Sequence, residues 1–363
     1  MARNYNWQLA DWPNFRYDHG KLEDFEMQFH QNNGIVLGIE KGIKSEDWDE
    51  FTIKFLSEEA YKTSEIEGEI LDRDSIQSSI RRHFGLQAPR MRNYPKEYGV
   101  AEMMVSIYKS FGEALTQEML FEWHSMLMNG RRDVEQIGAY RTHAEPMQIV
   151  SGRFDKRTVF FEAPPSHQVQ DEMEGFINWF NESQSELPIL VRSGICHLYF
   201  ETVHPFEDGN GRIGRALVEK SLAQDLGRPT FILFSKAIQA KRKAYYHALH
   251  WASLSNEITD WLLYFSQLIL EAIELTTREL EVLLKKIHVF YEYASQLNKR
   301  QEKVLLRLFD AGAEGFKGGL SAKNYLAITH TSPATATRDL NELVEWGILK
   351  KSGRFKSTRY VLK

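Results

Sequence analysis

Residues 204–215 read His204-Pro205-Phe206-Glu207-Asp208-Gly209-Asn210-Gly211-Arg212-Ile213-Gly214-Arg215. Within twelve positions this segment combines an imidazole, a carboxylate, two glycines around an amide side chain, and two guanidinium groups. Helical periodicity precedes the segment up to Val203 and resumes near Gly211-Arg212. The segment therefore predicts a tight loop that leads into the N-terminus of a helix.

Such a loop suits phosphate chemistry. Free backbone N–H groups at a helix N-terminus favour anions, and the glycines let a phosphate approach the backbone closely. Arg212 and Arg215 lie three positions apart, on one face of the first turn, where they can hold a polyphosphate. Asp208 offers a hard oxygen ligand for Mg²⁺, and His204 is a candidate general base. We expect transfer of part of a nucleoside triphosphate to a hydroxyl group.

The rest of the chain predicts a mainly α fold. An aromatic-rich N-terminal extension covers residues 1–40, and a helical core with one β-hairpin covers residues 41–290. The hairpin is expected from Met147 to Gly152 and from Val159 to Phe161. Helical stretches are predicted at Ser45 onward, Asp74–Gly85, Thr116–Met128, Gln168–Phe180, Pro188–Val203, Arg212–Leu226, Ala244–Leu270 and Glu271–Leu297.

Residues 298–363 have the motif order of a winged helix-turn-helix domain. Helices are predicted at Arg300–Phe309 and Ser321–Thr329, and a third begins at the N-cap pair Ser332-Pro333 and ends near Trp346. Two strands, Ile348–Lys351 and Thr358–Leu362, can then pair as the wing. From Lys299 to Lys363 the chain has 13 Lys or Arg and 6 Asp or Glu, which give a net charge of +7. Since the whole chain has a net charge of −5, residues 1–298 carry a net charge of −12.

Composition excludes several classes of protein. Cys196 is the single cysteine, so we expect no internal disulfide and no thiolate metal site, and His197 beside it is interpreted as a packing residue. Apolar runs such as Leu187–Val191 are too short to span a membrane, and the N-terminus has no signal segment. These features predict a cytoplasmic protein with no membrane partner.

Eight positions of the opening segment resemble the signature of the Fic family, His-x-Phe-x-(Asp/Glu)-Gly-Asn-Gly-Arg-x-x-Arg, with no departures. They are His204, Phe206, Asp208, Gly209, Asn210, Gly211, Arg212 and Arg215. The resemblance extends over roughly residues 45–290. It implies a Fic-type helical core and transfer of AMP from Mg-ATP to a Ser, Thr or Tyr hydroxyl of a protein, which can be the chain itself. Relatives also transfer groups other than AMP.

The resemblance implies a role for each motif residue. His204 deprotonates the acceptor hydroxyl, Asp208 binds Mg²⁺, and Phe206 anchors the loop in the core. Asn210 and the backbone amides hold the α-phosphate region, and Arg212 and Arg215 hold the β- and γ-phosphates. The cofactor-binding set on this basis is Asp208, Gly209, Asn210, Gly211, Arg212, Gly214 and Arg215. Dimers are common in the family, so we expect a homodimer.

Two further segments match the family less specifically. The hairpin, with Val150, Ser151 and Gly152, is similar to a flap that binds the target segment by strand addition, and Gly138-Ala139-Tyr140-Arg141 precede it as in relatives. An ordinary surface hairpin is the alternative. Tyr245 and Tyr246 resemble a nucleotide-contacting tyrosine pair, although Ser253 stands where some relatives have Asn, and core packing explains the pair equally well.

An inhibitory helix is expected near residues 58–70. The segment Thr63-Ser64-Glu65-Ile66-Glu67-Gly68 fits the family's inhibitory pattern (Ser/Thr)-x-x-x-Glu-(Gly/Asn). The resemblance implies that Glu67 pairs with Arg215 and so excludes the γ-phosphate, whereas outside this context Glu67 would be an exposed helix acid. Some relatives use this glutamate, with the motif histidine, to remove AMP as well, so a bifunctional enzyme stays open.

The alternative function is a DNA-binding transcriptional regulator with the helical core as an ATP sensor. Residues 332–345 could enter a major groove with Arg338 and Thr335 or Thr337 facing bases. The wing would contact phosphates through its basic residues, which are Lys350, Lys351, Arg354, Lys356 and Arg359. Docking of the target protein is an equal alternative use of this domain.

Overall fold

Helices dominate the chain in the computed structural model. It describes residues 4–89, 94–151, 158–316, 318–354 and 357–363, without the side chains of residues 150, 151 and 158. Two compact units are present. The first combines Met1–Glu40 with Lys44–Leu275, and the second combines Lys41–Ile43 with Thr276–Lys363. Among the described residues, no helix is both long and apolar enough to cross a membrane.

The helices up to residue 293 begin and end as follows: α1 Glu23–Lys41, α2 Ser45–Ile66, α3 Arg73–His83, α4 Pro95–Lys109, α5 Gln117–Leu127, α6 Val169–Glu182, α7 Ile189–Val203, α8 Asn210–Leu226, α9 Phe234–Ala240, α10 Arg242–Ala252 and α11 Thr259–Tyr293. Strands β1 (Gln148–Ser151) and β2 (Thr158–Glu162) pair antiparallel, with a register shift between Ile149 and Val150. This confirms the predicted hairpin, except that Gly152 lies outside the described residues.

The core of the first unit is built around α7 and α8, which pack against each other. Nearly every side chain of both helices is buried, which is expected of helices surrounded by protein on all sides. The buried guanidinium of Arg192 joins the two helices, because Nη1 pairs with Asp225 Oδ2 at 3.0 Å and Nη2 donates to Gln224 Oε1 at 2.9 Å. The loop between α7 and α8 is therefore held from both ends by rigid elements.

The second unit contains α12 (Lys299–Asp310), α13 (Ala322–Thr329) and α14 (Pro333–Glu345), followed by the antiparallel strands β3 (Leu349–Ser352) and β4 (Arg359–Leu362). This is the element order that the sequence predicts, and Ser332 caps α14 by accepting from Thr335 N, with Pro333 at the first helical position. Asp339 joins the three helices, since its carboxylate accepts from Arg300 Nε and Tyr325 OH, each at 2.8 Å.

Two helix predictions were wrong in detail. The helical stretch predicted from Ala244 to Leu270 is interrupted between α10 and α11, and no break occurs at residue 271. Backbone groups of the interruption bond to the N-terminal segment instead, through Asn6 N to Ser253 O and Arg16 N to Asn256 O, both 2.7 Å. Because those partners are distant in sequence, local periodicity does not reveal the break. Helix α1 within the N-terminal extension was also missed, as were α4 and α9.

Candidate active site

The motif loop has a backbone set by two left-handed residues. His204 ends α7 with φ of 49°, and Gly209 precedes α8 with φ of 87°. Asn210 closes the loop between them, because its Nδ2 donates to Phe206 O at 2.7 Å and its Oδ1 accepts from Phe206 N at 2.9 Å. The Asn210 side chain thus shapes the loop, which leaves its backbone N–H as its group for a ligand.

Phe206 anchors the loop in the core, as predicted. Its ring is fully buried and stacks on the ring of His124, with centroids 4.2 Å apart. His124 Nδ1 accepts from Gly138 N at 3.0 Å, so the proton lies on Nε2, which is 3.2 Å from Asp208 O. Burial lowers the pKa of His124 to about 4, which keeps the ring neutral. His124 was not predicted at the site, because no sequence pattern surrounds it.

Arg141 holds the other side of the loop. It is 1% exposed, and its Nε donates to His204 O at 2.9 Å while its Nη2 donates to Pro164 O at 2.6 Å. Its backbone N–H donates to Pro205 O at 2.9 Å. Burial lowers the pKa of Arg141 to about 10, so the guanidinium stays charged at neutral pH. The family-like segment Gly138–Arg141 therefore ends in a residue that fixes the main chain of the motif.

His204 has the protonation state that a general base requires. Burial, followed by the positive charge of Arg141, lowers the pKa of His204 to about 4. The Nδ1 atom lies 3.3 Å from Glu201 O and 3.9 Å from Glu201 Oε2. A proton on Nδ1 is donated to Glu201 O and leaves the lone pair on Nε2 available for a substrate proton.

Glu201 is a second residue of the site that the sequence did not predict. Burial raises the pKa of its carboxyl to about 8, against the positive charge of Arg215 and together with the negative charge of Glu67. Within the described residues its Oε1 has no hydrogen-bond partner, and this atom lies where a side-chain carbon at Gly214 would collide with it. Gly214 was predicted to bind the cofactor. A side chain at position 214 would instead meet Glu201 and His197. Gly214 therefore leaves room for a buried carboxyl between α7 and α8.

Arg215 and Arg212 each contact a carboxylate from the end of α2. Arg215 Nη2 donates to Glu67 Oε1 at 2.8 Å, and its Nε donates to Thr63 Oγ1 at 2.7 Å. Arg212 Nη1 donates to Glu69 Oε2 at 2.7 Å. The Glu67 carboxylate reaches so close to Gly211 that a side-chain carbon there would collide with it. Gly211 therefore lets an anion approach the start of α8, and in this structure the anion is Glu67.

Asp208 is engaged with cations and with the backbone. Its Oδ2 pairs with Arg131 Nη1 at 2.8 Å, and its Oδ1 accepts from Gly209 N at 2.6 Å. Burial raises the pKa of Asp208, but the charges of Arg212 and Arg131 outweigh it, so the pKa lies below its ordinary value. Among the described residues, no group of three or more His, Cys, Asp or Glu side chains gathers as a metal site.

A cavity of about 700 Å³ brings the predicted residues together. This volume is in the range of small-molecule sites. The predicted site residues that line it are Glu67, His204, Asp208, Gly209, Asn210, Gly211, Arg215, Tyr245 and Tyr246. Ile149 and Phe160 of the hairpin line it too, whereas Arg212 lies 3% exposed beneath Glu69. Backbone atoms of Val150 and Ser151 belong to β1, and Gly152 lies outside the described residues.

The tyrosine pair divides between core and cavity. Tyr245 is 1% exposed, and its hydroxyl lies 2.6 Å from His197 Nε2, so its ring belongs to the core. His197 is itself buried and neutral, since burial lowers its pKa to about 3, which agrees with the predicted packing role. Tyr246 is 39% exposed on the cavity side, with Arg242 over its ring. Of the two, Tyr246 is the residue exposed to a ligand.

A family model and curated relatives each match part of this chain. Residues 114–222 match the family model described as Fic/DOC family, and residues 5–86 match a model described as a domain of unknown function (DUF4172). A probable protein adenylyltransferase of Aquifex aeolicus is 35% identical over 85 residues, which are 23% of this chain and 26% of that protein. The protein adenylyltransferase fic-1 of Caenorhabditis elegans is 26% identical over 202 residues, which are 54% of this chain and 36% of that protein.

Solved structures agree on the fold. A Fic family protein from Desulfovibrio desulfuricans G20 aligns with a TM-score of 0.52 at 19% identity, covering 93% of this chain and 96% of that one. A Fic domain containing signaling protein from Bacteroides thetaiotaomicron aligns with a TM-score of 0.52 at 19% identity, covering 69% and 97%. Since the chain spans 26% and 36% of the two curated relatives named above, their activities belong to longer proteins.

Proposed function

Because residues 114–222 of this chain form a Fic/DOC domain, we propose that it transfers AMP from ATP to a hydroxyl group of a protein. The observation that carries the proposal is the position of a neutral His204 in the same cavity as the amides of Gly209–Gly211 and the guanidinium of Arg215. A base, an anion-binding backbone and a cation are the groups that nucleotidyl transfer requires.

The reaction follows from these groups. His204 Nε2 takes the proton of the acceptor hydroxyl, and the oxygen attacks the α-phosphorus of ATP. The bond from that phosphorus to the bridging oxygen breaks, and pyrophosphate leaves with the electron pair. Backbone amides at the start of α8 neutralise charge on the α-phosphate, and Arg212 and Arg215 do so on the leaving group. Most of the catalysis is therefore positioning and charge neutralisation.

Asp208 is the residue that would hold Mg²⁺. The ion prefers one or two carboxylates plus phosphate oxygens and water, and Asp208 supplies one ionised carboxylate beside the phosphate-binding backbone. When bound, Mg²⁺ would add positive charge to the polyphosphate. Arg131 now pairs with Oδ2 of this carboxylate, so it would have to give up that contact.

Glu67 would inhibit the enzyme by occupying Arg215. Their ion pair of 2.8 Å is largely buried, with Arg215 2% and Glu67 29% exposed, so solvent screens it little. The carboxylate stands over Gly211, where a phosphate would lie. ATP could then bind only with its terminal phosphates displaced, which misaligns the α-phosphate for attack.

The test uses radiolabelled ATP and Mg²⁺ in a cell lysate, followed by mass spectrometry of the labelled proteins. We expect Glu67→Gly to raise labelling at least tenfold and His204→Ala in that background to abolish it. Glu65→Gly is the matched control, because Glu65 pairs with Lys62 on the same helix and not with the motif. Equal labelling by wild type and Glu67→Gly would show that Glu67 does not inhibit the enzyme. Labelling by the variant without His204 would show that His204 is not the general base.

AMP removal is a second activity of the same site that the geometry allows. Glu67 and His204 line one cavity, and a carboxylate there could orient a water toward an AMP-modified side chain. Incubation of pre-labelled target with unlabelled chain would then release AMP for wild type and not for Glu67→Gly. Stable labelling in both reactions would mean that the site transfers AMP and does not remove it.

Double-stranded DNA is the partner we propose for the second unit. Thr337 and Arg338 are exposed on α14, and Lys350, Lys351 and Arg354 are exposed on the hairpin beyond it, whereas Lys356 lies outside the described residues. This arrangement pairs a helix for the major groove with cations for the backbone. We expect gel-shift affinity to fall steeply with salt. Arg338→Ala should weaken binding, and Arg307→Ala on the exposed face of α12 should not.

A homodimer and a cytoplasmic location stay predictions. Light scattering during size-exclusion chromatography would measure the mass of the assembly against 42.3 kDa for one chain.

A further inference from the structure

We propose that Arg131 and Lys96 form, with Arg212, a second anion site that receives the terminal phosphates of the nucleotide, and that Glu69 fills this site in the resting protein. The proposal rests on the proposed function only for the identity of the ligand. Neither Arg131, Lys96 nor Glu69 belongs to the motif at residues 204–215 or to the inhibitory segment at residues 63–68.

The Glu69 carboxylate is surrounded by three cations. Its Oε2 lies 2.7 Å from Arg212 Nη1, and its Oε1 lies 2.8 Å from Lys96 Nζ and 3.6 Å from Arg131 Nη1. Arg212 and Arg131 are largely buried, with side chains 4% and 16% exposed. Partly buried cations that converge on one point form a site for an anion, because their mutual repulsion is relieved only when negative charge lies between them.

The charges match a polyphosphate. Arg131, Lys96, Arg212 and Arg215 face four carboxylates, which are Glu67, Glu69, Asp208 and Asp133. Withdrawal of Glu67 and Glu69 would leave two positive charges without partners, next to the amides at the start of α8. Arg131 donates through Nε and Nη2 to Asp133, each at 2.7 Å. Its Nη1 pairs with Asp208 Oδ2 at 2.8 Å and lies 3.6 Å from Glu69 Oε1, so Nη1 is the nitrogen on the side of the anion site.

The end of α2 makes Glu67 and Glu69 act as one unit. Gly68 adopts φ of 84°, and the chain closes the helix with Gly68 N bonded to Glu65 O and Glu69 N bonded to Ser64 O, both at 3.0 Å. This is a Schellman ending, in which a left-handed glycine reverses the chain. It directs the carboxylate before the glycine to Arg215 and the carboxylate after it to Arg212. A movement of this single turn would uncover both arginines together.

A purely structural role for the cluster makes a different prediction from an anion site. If Glu69 only fixed α2 to the core, then removing its charge would lower stability and leave anion affinity unchanged. If it fills an anion site, the same change raises affinity for a polyphosphate, and the gain requires Arg131 and Lys96.

The test measures binding of inorganic tripolyphosphate to the full chain by isothermal titration calorimetry. We expect Glu69→Gln to tighten binding about tenfold, since one charge-assisted hydrogen bond contributes an effect of this order. Arg131→Gln or Lys96→Ala, each combined with Glu69→Gln, should remove most of that gain. Matched controls are Glu65→Gln on the same helix turn and Arg132→Gln beside Arg131, and both should leave the affinity unchanged.

The outcomes separate this proposal from the proposed function. Tripolyphosphate has no adenosine and undergoes no AMP transfer, so a chain that responds as expected but labels no protein would refute the transfer activity alone. Unchanged affinity in Glu69→Gln, or a gain that persists without Arg131 and Lys96, would overturn the second anion site whatever the transfer activity. If Arg131→Gln fails to fold in thermal unfolding, Lys96→Ala decides, because Lys96 is 43% exposed and its truncation removes little packing.

Discussion

At the scale of single residues, Glu201 is the group whose chemistry adds most to the motif. Its Oε2 lies 3.9 Å from His204 Nδ1, on the side of the imidazole away from the substrate. When His204 Nε2 takes a proton, the ring becomes a cation, and an ionised Glu201 would stabilise it. A protonated Glu201 has no negative charge and would not stabilise this cation. The ionisation of Glu201 should therefore appear in the rate of transfer.

We expect the transfer rate of Glu67→Gly to rise with pH to a plateau, with a midpoint below about 8. The pKa of Glu201 is raised to about 8 by burial, and the negative charge of Glu67 is part of that rise, so the glycine variant should titrate lower. Adding Glu201→Gln should remove the rise and lower the plateau about tenfold. A pH–rate profile measures this.

Glu207→Gln is the control for that profile, because Glu207 lines the same cavity but accepts a hydrogen bond from Glu135 N at 2.9 Å. Identical profiles with and without Glu201 would assign the carboxyl a packing role only.

The sequence predicted the motif side chains well and their supports poorly. His204, Asp208, Gly211 and Arg215 meet in one cavity, because a motif of fixed spacing on a tight loop determines its own geometry. His124 lies 84 positions before Asp208, whose carbonyl it contacts, and no local pattern marks it. Arg141 lies 63 positions before His204, and the family-like segment that contains it does not reveal this contact. The carboxylate of Glu69 was missed for the same reason, since its partner Arg212 is distant in sequence.

At the scale of elements, the end of α2 controls access to both arginines. Gly68 is left-handed, and no atom lies within 4 Å of a side-chain carbon placed there, so Gly68→Ala brings backbone strain and no collision. The strain should cost about 1–2 kcal/mol and loosen the turn that presents Glu67 and Glu69. We expect a severalfold rise in AMP transfer, measured with radiolabelled ATP.

Gly85→Ala is the matched control for this change. Gly85 follows α3 with φ of 71° and equally open surroundings, so the same strain arises away from the arginines. Both variants should lose similar stability in thermal unfolding, and Gly68→Ala alone should gain activity. An equal gain in both would mean that general loosening, and not the α2 turn, releases the enzyme.

The same face of α2 carries Glu59, two turns before Glu67 and fully buried. Burial raises the pKa of Glu59 to about 7, although Ser235 N donates to its Oε2 at 2.9 Å. Because the folded state holds this proton more tightly than the unfolded state, stability falls as pH rises from about 4.5 to 7. Glu219 shares this buried site, and burial together with Glu59 raises its pKa as well. Relative to Glu59→Gln, the free energy of unfolding of the wild type should therefore drop across that window.

Urea unfolding at pH 5 and pH 8 measures that difference. Glu58→Gln, one position away and paired with the exposed Arg73, is the control, and it should keep the pH dependence of the wild type. Parallel pH curves for wild type and Glu59→Gln would mean that Glu59 is ionised throughout.

At the scale of the whole molecule, the division of the chain differs from what periodicity suggests. The sequence predicts the end of the helical core at residue 290, within the helical stretch Glu271–Leu297. In the structure, the first unit ends at Leu275, inside α11, and residues from Thr276 onward belong to the second unit. A helix that continues through a boundary gives no sequence signal there, because its periodicity does not change.

The boundary predicts how truncations behave. Val282, Val289, Phe290 and Tyr293, all on α11, pack in the core of the second unit with residues of α12 and α14. A chain ending at residue 297 keeps these side chains but loses the core that covers them, so it should expose an apolar helix face and self-associate. A chain ending at residue 275 lacks that face and should stay monodisperse while keeping AMP transfer in the Glu67→Gly background. Light scattering and binding of a hydrophobic dye compare the two, and equal behaviour would mean that α11 from residue 276 belongs with the catalytic unit.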